Sequence, residues 1–282
     1  MNRRGVKALL ILLLAVFFTA VAGLAAFYHF PFGPAVREIK REIEAAGPLR
    51  LEFDAPEIGR PFSVILNRLN ASLAFPEGRL PLFQAARLNL DLKPWRLAWG
   101  RIGLNLNMES AQGRLKGWLE AGIAGQREIR LDLEEIVLPA FSLADPQQRM
   151  SLSGRLEGRA RVMGRAEVMP TAGQGRLAIT GGRLTGLNVP GLPFSQLDFD
   201  RLEAIFKLDS RQVTLESLKI ESRQAEVELK GLIQDYRRPR LALTGRASLL
   251  MNGQTLAGLD MSVTGPLTKP VIKTSAPLKP GG

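Results

Sequence analysis

From about residue 49 onward, the apolar positions of this chain recur at every second residue. In Arg87–Leu92 (RLNLDL), Leu88, Leu90 and Leu92 alternate with Asn89 and Asp91; in Glu128–Leu133 (EIRLDL), Ile129, Leu131 and Leu133 alternate with Arg130 and Asp132. The same period appears at Val213/Leu215, Leu218/Ile220, Ala225/Val227/Leu229, Leu241/Leu243 and Leu259/Met261/Val263. Successive side chains of a strand point to opposite faces, so this alternation predicts strands with one buried and one wet face. Each run spans five to eight residues between Gly, Pro, Asn or Asp, which suits antiparallel strands and their turns. The fold class predicted is mainly β. One exception is expected at Pro61–Asn70, where Phe62, Ile65, Leu66 and Leu69 follow helical spacing and predict a short helix.

The region before residue 49 reads differently. Ala8–Tyr28 is a run of 21 residues without a charge, long enough as a helix to span roughly 30 Å of hydrocarbon. Arg3, Arg4 and Lys7 precede it; the excess of cations on the cytoplasmic side of membrane helices puts residues 1–7 inside and exports the rest. Phe27, Tyr28, Phe30 and Phe32 stand where an interfacial aromatic belt would lie. Ala20-Val21-Ala22 resembles a signal-peptide cleavage site, but the apolar run continues past it, which favours a retained anchor over residues 8–30. Pro31, Gly33 and Pro34 are expected to break the helix. Val36, Ile39 and Ile43 then predict a short juxtamembrane helix over Ala35–Ala46, ended by Gly47-Pro48, with a solvated spacer as the alternative for residues 31–48. Residues 49–273 form the β domain and 274–282 a Pro/Gly-rich disordered tail.

A Gly-Arg-Leu motif recurs at uneven spacing: GRLKG at Gly113–Gly117, GRLEG at Gly154–Gly158, GRLAI at Gly175–Ile179 and GRLTG at Gly182–Gly186, with GRASL from Gly245. The spacing excludes a fixed-period solenoid. Glycines at strand ends and interiors allow turns, bulges and bends, so the motif suits a large curved sheet. Pro190-Gly191-Leu192-Pro193 is expected to separate two strand groups, and Val271 and Ile272 to close the sheet. Such a sheet either packs on a second one as a sandwich or stays open as an apolar trough.

Composition removes most chemistry. There is no Cys, and the one His, His29, adjoins the anchor. The β domain therefore has neither a Ser-His-Asp triad nor the usual zinc ligands. Gly173-x-Gly175-x-x-Ala178 matches the loose dinucleotide pattern but opens a strand-like segment, so it carries no such expectation. Carboxylates such as Glu134-Glu135 leave acid–base chemistry open, including a glycosidase pair brought together from distant strands, but charges on the outer face of a sheet are best read as solvated surface. The sequence assigns no catalytic, cofactor-binding or metal-ligating residue and no cofactor. Three of the 38 cations precede the anchor, so 35 face 27 anions beyond it, a surface drawn to anionic lipid or an acidic partner. Nucleic acid is not expected, because aromatic residues are only 6% of the chain and the cations form no run.

Three stretches carry a resemblance: LDLKPWRLAWGRIGLNLNMESAQGRLKGWLE (Leu90–Glu120), GLPFSQLDFDRLEAIFKLDSRQVTLESLKIESRQAEVELKGLI (Gly191–Ile233) and VTGPLTKPVI (Val263–Ile272). The second resembles the strand–strand–turn–strand–Gly run of AsmA-like proteins, and the third their closing Gly-x-Leu-x-x-Pro. With one anchor at this length, the chain is most similar to the type II secretion system protein N family. That resemblance implies a non-enzymatic, single-pass protein of the bacterial inner membrane, its β domain in the periplasm and other secretion-system proteins as partners. The wider AsmA-like group implies instead a periplasmic lipid-binding or lipid-transfer protein with an apolar trough, and phospholipid as the ligand.

Overall fold

The computed structural model of the chain describes residues 32–46, 49–59, 62–75, 78–110, 113–122, 124–143, 150–165, 168–186, 195–235, 239–251, 254–266 and 270–275, together with Val21, Ala25 and residues 27–29. Helix α1 (Phe32–Ala46) leads into the strands β1 (Leu49–Glu52), β2 (Glu57–Ile58), β3 (Ser63–Phe75) and β4 (Gly78–Leu92). A 3-10 helix (Pro94–Trp99) precedes β5 (Arg101–Ser110), β6 (Gly113–Gly122), β7 (Gln126–Leu143), β8 (Met150–Arg165) and β9 (Val168–Thr185). The chain ends in β10 (Gln196–Asp209), β11 (Gln212–Glu221), β12 (Ala225–Gln234), β13 (Arg240–Met251), β14 (Gln254–Pro266) and β15 (Val271–Thr274).

These strands make one 15-stranded sheet in which, from β3 to β15, every strand pairs antiparallel with the next in sequence. β1 and β2 cover successive halves of the outer edge of β3, pairing at Leu49↔Leu73 to Glu52↔Asn70 and at Glu57↔Ile65 to Ile58↔Val64. The fold is mainly β, and of the two arrangements left open by the alternation the described residues form the open sheet. The mechanism is the expected one: in β12, Ala225, Val227 and Leu229 are buried, and Glu226, Glu228 and Lys230 are exposed. Val271 and Ile272 do lie in the last strand. β9 and β10 pair with each other from Gln196↔Thr185 onward, so one sheet runs across the expected loop; Pro190–Pro193 themselves lie outside the described residues.

Several expectations are corrected. The strands are longer than five to eight residues, reaching 18 in β7 and β9. Bulges account for this, because they absorb residues that would otherwise end a strand: Pro139 falls in the irregularity between Leu138 and Phe141, where no ladder hydrogen bond is needed from its nitrogen. The helix expected at Pro61–Asn70 is strand β3. Val64 and Leu66 pack in one apolar cluster and Leu69 in the next, with Ala71 also buried. Arg68 between them has φ 50°, a left-handed conformation that shifts the face of alternation by one residue. The resulting spacing imitates a helix. The expected juxtamembrane helix is α1, which starts three residues early, with Gly33 and Pro34 in its first turn, where a missing backbone N–H costs no helical hydrogen bond; the expected break at Pro31 lies outside the described residues.

The expected anchor at 8–30 lies almost wholly outside the described residues. Among those described, no helix is long and apolar enough to cross a membrane. Residues 27–29 are helical, and two members of the expected aromatic belt face the protein instead. Phe27 is 7% exposed, with its ring centroid 4.8 Å from that of Phe32 and 5.3 Å from that of Phe62. Phe32 and Val36 of α1 pack on the same cluster, around Val64 and Leu66. At its far end α1 is tied to β1, where Leu51 N donates to Glu44 Oε1 at 3.1 Å. The helix therefore runs along the N-terminal edge of the sheet.

Candidate functional site

Register carries the sheet's chemistry. Val64 in β3 pairs with Leu90, which pairs with Leu106, then Gly117, Leu131 and Ala160. The row continues through Gly175, Phe206, Leu215, Gly231, Leu243, Val263 and Ile272. No polar side chain interrupts it from β3 to β15. One residue along, the row on the other face reads Asp91, Asn105, Trp118, Arg130, Arg161, Gln174, Lys207 and Thr214. The sheet is thus amphipathic from β4 to β11; beyond Thr214 this second row passes through Leu232 and Ala242. Glycines in the apolar row make room for large neighbours: a Cβ at Gly117 would lie 2.7 Å from Leu106 Cδ1, and one at Gly175 would meet the Phe206 ring.

The apolar face is not uniformly closed. At the N-terminal end Val64 and Leu66 are buried against α1, and Leu69 and Met108 against Leu51 and Phe53. At the C-terminal end Leu197, Leu215, Val227, Leu229, Leu243, Met261 and Val263 form the largest buried cluster. Between them the half of the sheet nearer the 3-10 helix stays half-buried: Leu104, Leu106, Leu119, Ile129, Leu131, Leu133 and Val162 all keep access to solvent. Three registered rows across β5–β9 form this floor. With strands ~4.8 Å apart and same-face residues ~7 Å apart, it spans on the order of 300 Å2 of sheet, comparable to the largest apolar patch of an ordinary monomer, which is often functional.

The polar face is laced by cross-strand ion pairs. Glu128 accepts from Arg130 Nε and Arg161 Nε, both at 2.7 Å. Glu203 pairs with Arg176 and Arg201, and Arg183 with Asp198 at 2.6 Å. Partial burial works against ionisation of Glu128, and its two guanidinium partners outweigh that, holding its carboxyl below the ordinary range. The Arg176 guanidinium does the same for Glu203. A cavity of about 770 Å3 opens on this face, lined by Arg96, Arg101, Lys116, Arg130, Glu120 and Glu128 among others. Several of its charges are paired with one another: Arg96 and Arg101 with Glu120, and Arg130 with Glu128.

Of the sequence motifs, Gly173, Gly175 and Ala178 lie inside β9 rather than at a helix start. Glu134 is paired with Lys116 across the sheet at 3.0 Å, and Glu135 is exposed at a left-handed backbone position. Among the described residues no three His, Asp or Glu side chains come together as a metal site. The floor was not legible as a unit, because cross-strand register is not written in any single strand. A second missed feature, the exposed Trp95 and Trp99, had a signal: all three tryptophans of an aromatic-poor chain fall within Trp95–Trp118. No protein-family model matches the chain, and neither a curated protein nor a solved structure does.

Proposed function

We propose that this protein is a non-enzymatic component of the bacterial envelope, anchored in the inner membrane by its N-terminal segment with the β domain in the periplasm, and that its sheet holds phospholipid acyl chains. The half-exposed floor of β5–β9, set in an apolar row without a polar interruption, carries this reading. Acyl chains match it because they bury apolar area and require no polar partner. The AsmA-like resemblance of the sequence points the same way. Full-length protein purified in mild detergent should release near-stoichiometric phospholipid on solvent extraction, read by mass spectrometry. Leu131→Glu, which places a carboxylate in the middle of the floor, should abolish that retention. Absence of lipid from the parent protein, or retention unchanged in the variant, would sink the proposal.

A second reading, a structural part of a type II secretion assembly, is favoured by a different observation. β15 pairs with β14 only through Met261–Thr264. Beyond the hydrogen bond from Ser275 N to Asp260 O, the edge of β14 toward Gln254 has no partner strand among the described residues. Such an edge accepts an added strand from another protein. Removal of the protein should then stop secretion of exported enzymes while outer-membrane permeability stays normal. Normal secretion would rule this role out.

A further inference from the structure

The turn between β4 and β5 presents Trp95, Leu97 and Trp99 to solvent, 58%, 52% and 77% exposed, with Ile102 beside them at 47%. Large apolar side chains clustered at one tip require a reason, since each costs free energy in water. The tip is held firmly. Gly100, at φ 66°, closes the 3-10 helix by donating to Leu97 O at 2.9 Å. Lys93 N donates to Gly103 O at 2.8 Å. Arg96 and Arg101 both bond Glu120, at 3.1 and 2.6 Å, and Glu120 is 9% exposed. The ring of Trp95 lies under Lys93 Nζ at 5.1 Å. A rigid knuckle of tryptophan and leucine beside lysine and arginine has the chemistry of the membrane interface, where amphipathic rings lie at headgroup depth and cations meet anionic lipid.

The fold fixes where this knuckle points. Leu92 N, one residue before Lys93, donates to Phe62 O at 2.7 Å, and the Phe62 ring packs on Phe27, next to the end of the apolar segment Ala8–Tyr28. The knuckle and the end of that segment therefore share one end of the sheet. The turns at the same end add Arg165, Arg211 and Arg240, with Asp209 and Asp235 as their acidic members among the described residues. We infer that the Pro94–Trp99 knuckle is a second membrane contact: Trp95, Leu97 and Trp99 insert at the interface of the bilayer that holds the anchor, with Lys93 and the basic rim on anionic headgroups. This rests on the reading of Ala8–Tyr28 as an anchor, and it would stand the sheet end-on to the membrane with the floor rising from the bilayer surface.

The test uses the full chain reconstituted into phosphatidylethanolamine/phosphatidylglycerol vesicles, or into phosphatidylcholine vesicles, each containing lipid with brominated acyl chains. Trp95→Phe/Trp118→Phe leaves Trp99 as the only emitter, and Trp95→Phe/Trp99→Phe leaves Trp118. Trp99 should lose most of its emission in the anionic vesicles and less in the zwitterionic ones, while Trp118 keeps its own. Trp99 quenched by aqueous iodide but not by bromolipid would overturn the inference. Protection from both quenchers would overturn it in favour of a protein or second copy on the knuckle. Flotation with the vesicles after alkaline extraction checks the anchor: a chain that floats with Trp99 unquenched loses only the knuckle, and a chain that does not float loses both. Trp99 quenching in a protein that carries no co-purified lipid would keep this inference and remove the floor.

Discussion

Glu203 stands between the guanidinium groups of Arg176 and Arg201 on the polar face, and Glu128 between Arg130 and Arg161. Both carboxyls are held below their ordinary value of 4.5 in the folded chain. A depressed folded value means that the unfolded chain takes up protons first as pH falls. The stabilisation is therefore complete above the ordinary range and is lost as pH drops through the folded values. Urea midpoints should fall between about pH 5 and about pH 3, and the double variant Glu128→Gln/Glu203→Gln should show a flatter decline. An equally steep decline in the variant would mean that other carboxylates dominate. Most remaining pairs are well exposed, such as Arg159 with Asp132, so each contributes about 0–1 kcal/mol at most.

At the scale of the element, the unusual residues are those that shift the face of a strand. Glu135, φ 50°, lies between Leu133 and Ile136 in β7, where the register with β8 also shifts. Its carbonyl would touch a Cβ placed on Gly113, so this bulge and the start of β6 are fitted to each other. A non-glycine residue in the left-handed region costs about 1–2 kcal/mol. Glu135→Gly should therefore raise stability by up to about 1 kcal/mol in urea unfolding, less the entropy glycine adds to the unfolded chain. Glu135→Val should lower it, since a β-branched side chain tolerates that conformation worst. These shifts also mark the limit of what the sequence discloses. Ala225/Val227/Leu229 and Leu259/Met261/Val263 announce their strands because no bulge interrupts them. Phe62, Ile65, Leu66 and Leu69 hide theirs, because Arg68 shifts the alternation before Leu69 and Ile65 is buried on the face opposite Val64 and Leu66, and together these turn a period of two into an apparent helical period. The floor is hidden for a related reason: each of its residues looks like any inward strand position, and only the pairing register and the unequal burial along the sheet set it apart.

For the whole molecule, hydrogen bonding is almost entirely between strands that are neighbours in sequence, as in a linear array rather than a closed globule. Local stability should then follow the local apolar packing. Ala225 and Ala247 are fully buried between β12 and β13 in the largest cluster, whereas the floor of β6–β7 is half-exposed. Native-state hydrogen exchange should find the slowest amides in β12–β13 and faster ones in β6–β7. Uniform protection across the sheet would show that it unfolds as one unit. If the floor takes up acyl chains, adding lipid should slow exchange in β6–β7 selectively, because a ligand stabilises only the state that binds it.

The meander has one more consequence, and it concerns size. Since no strand must return to close on the first, the number of hairpins is not fixed by geometry, as it is in a barrel. An inserted hairpin that keeps the alternation would find its hydrogen-bond partners on both sides and would extend the apolar row by two positions, widening the sheet by roughly 10 Å. The architecture is a strip that can be lengthened, and the distance it reaches from its N-terminal end is set by how many times the same simple step is repeated.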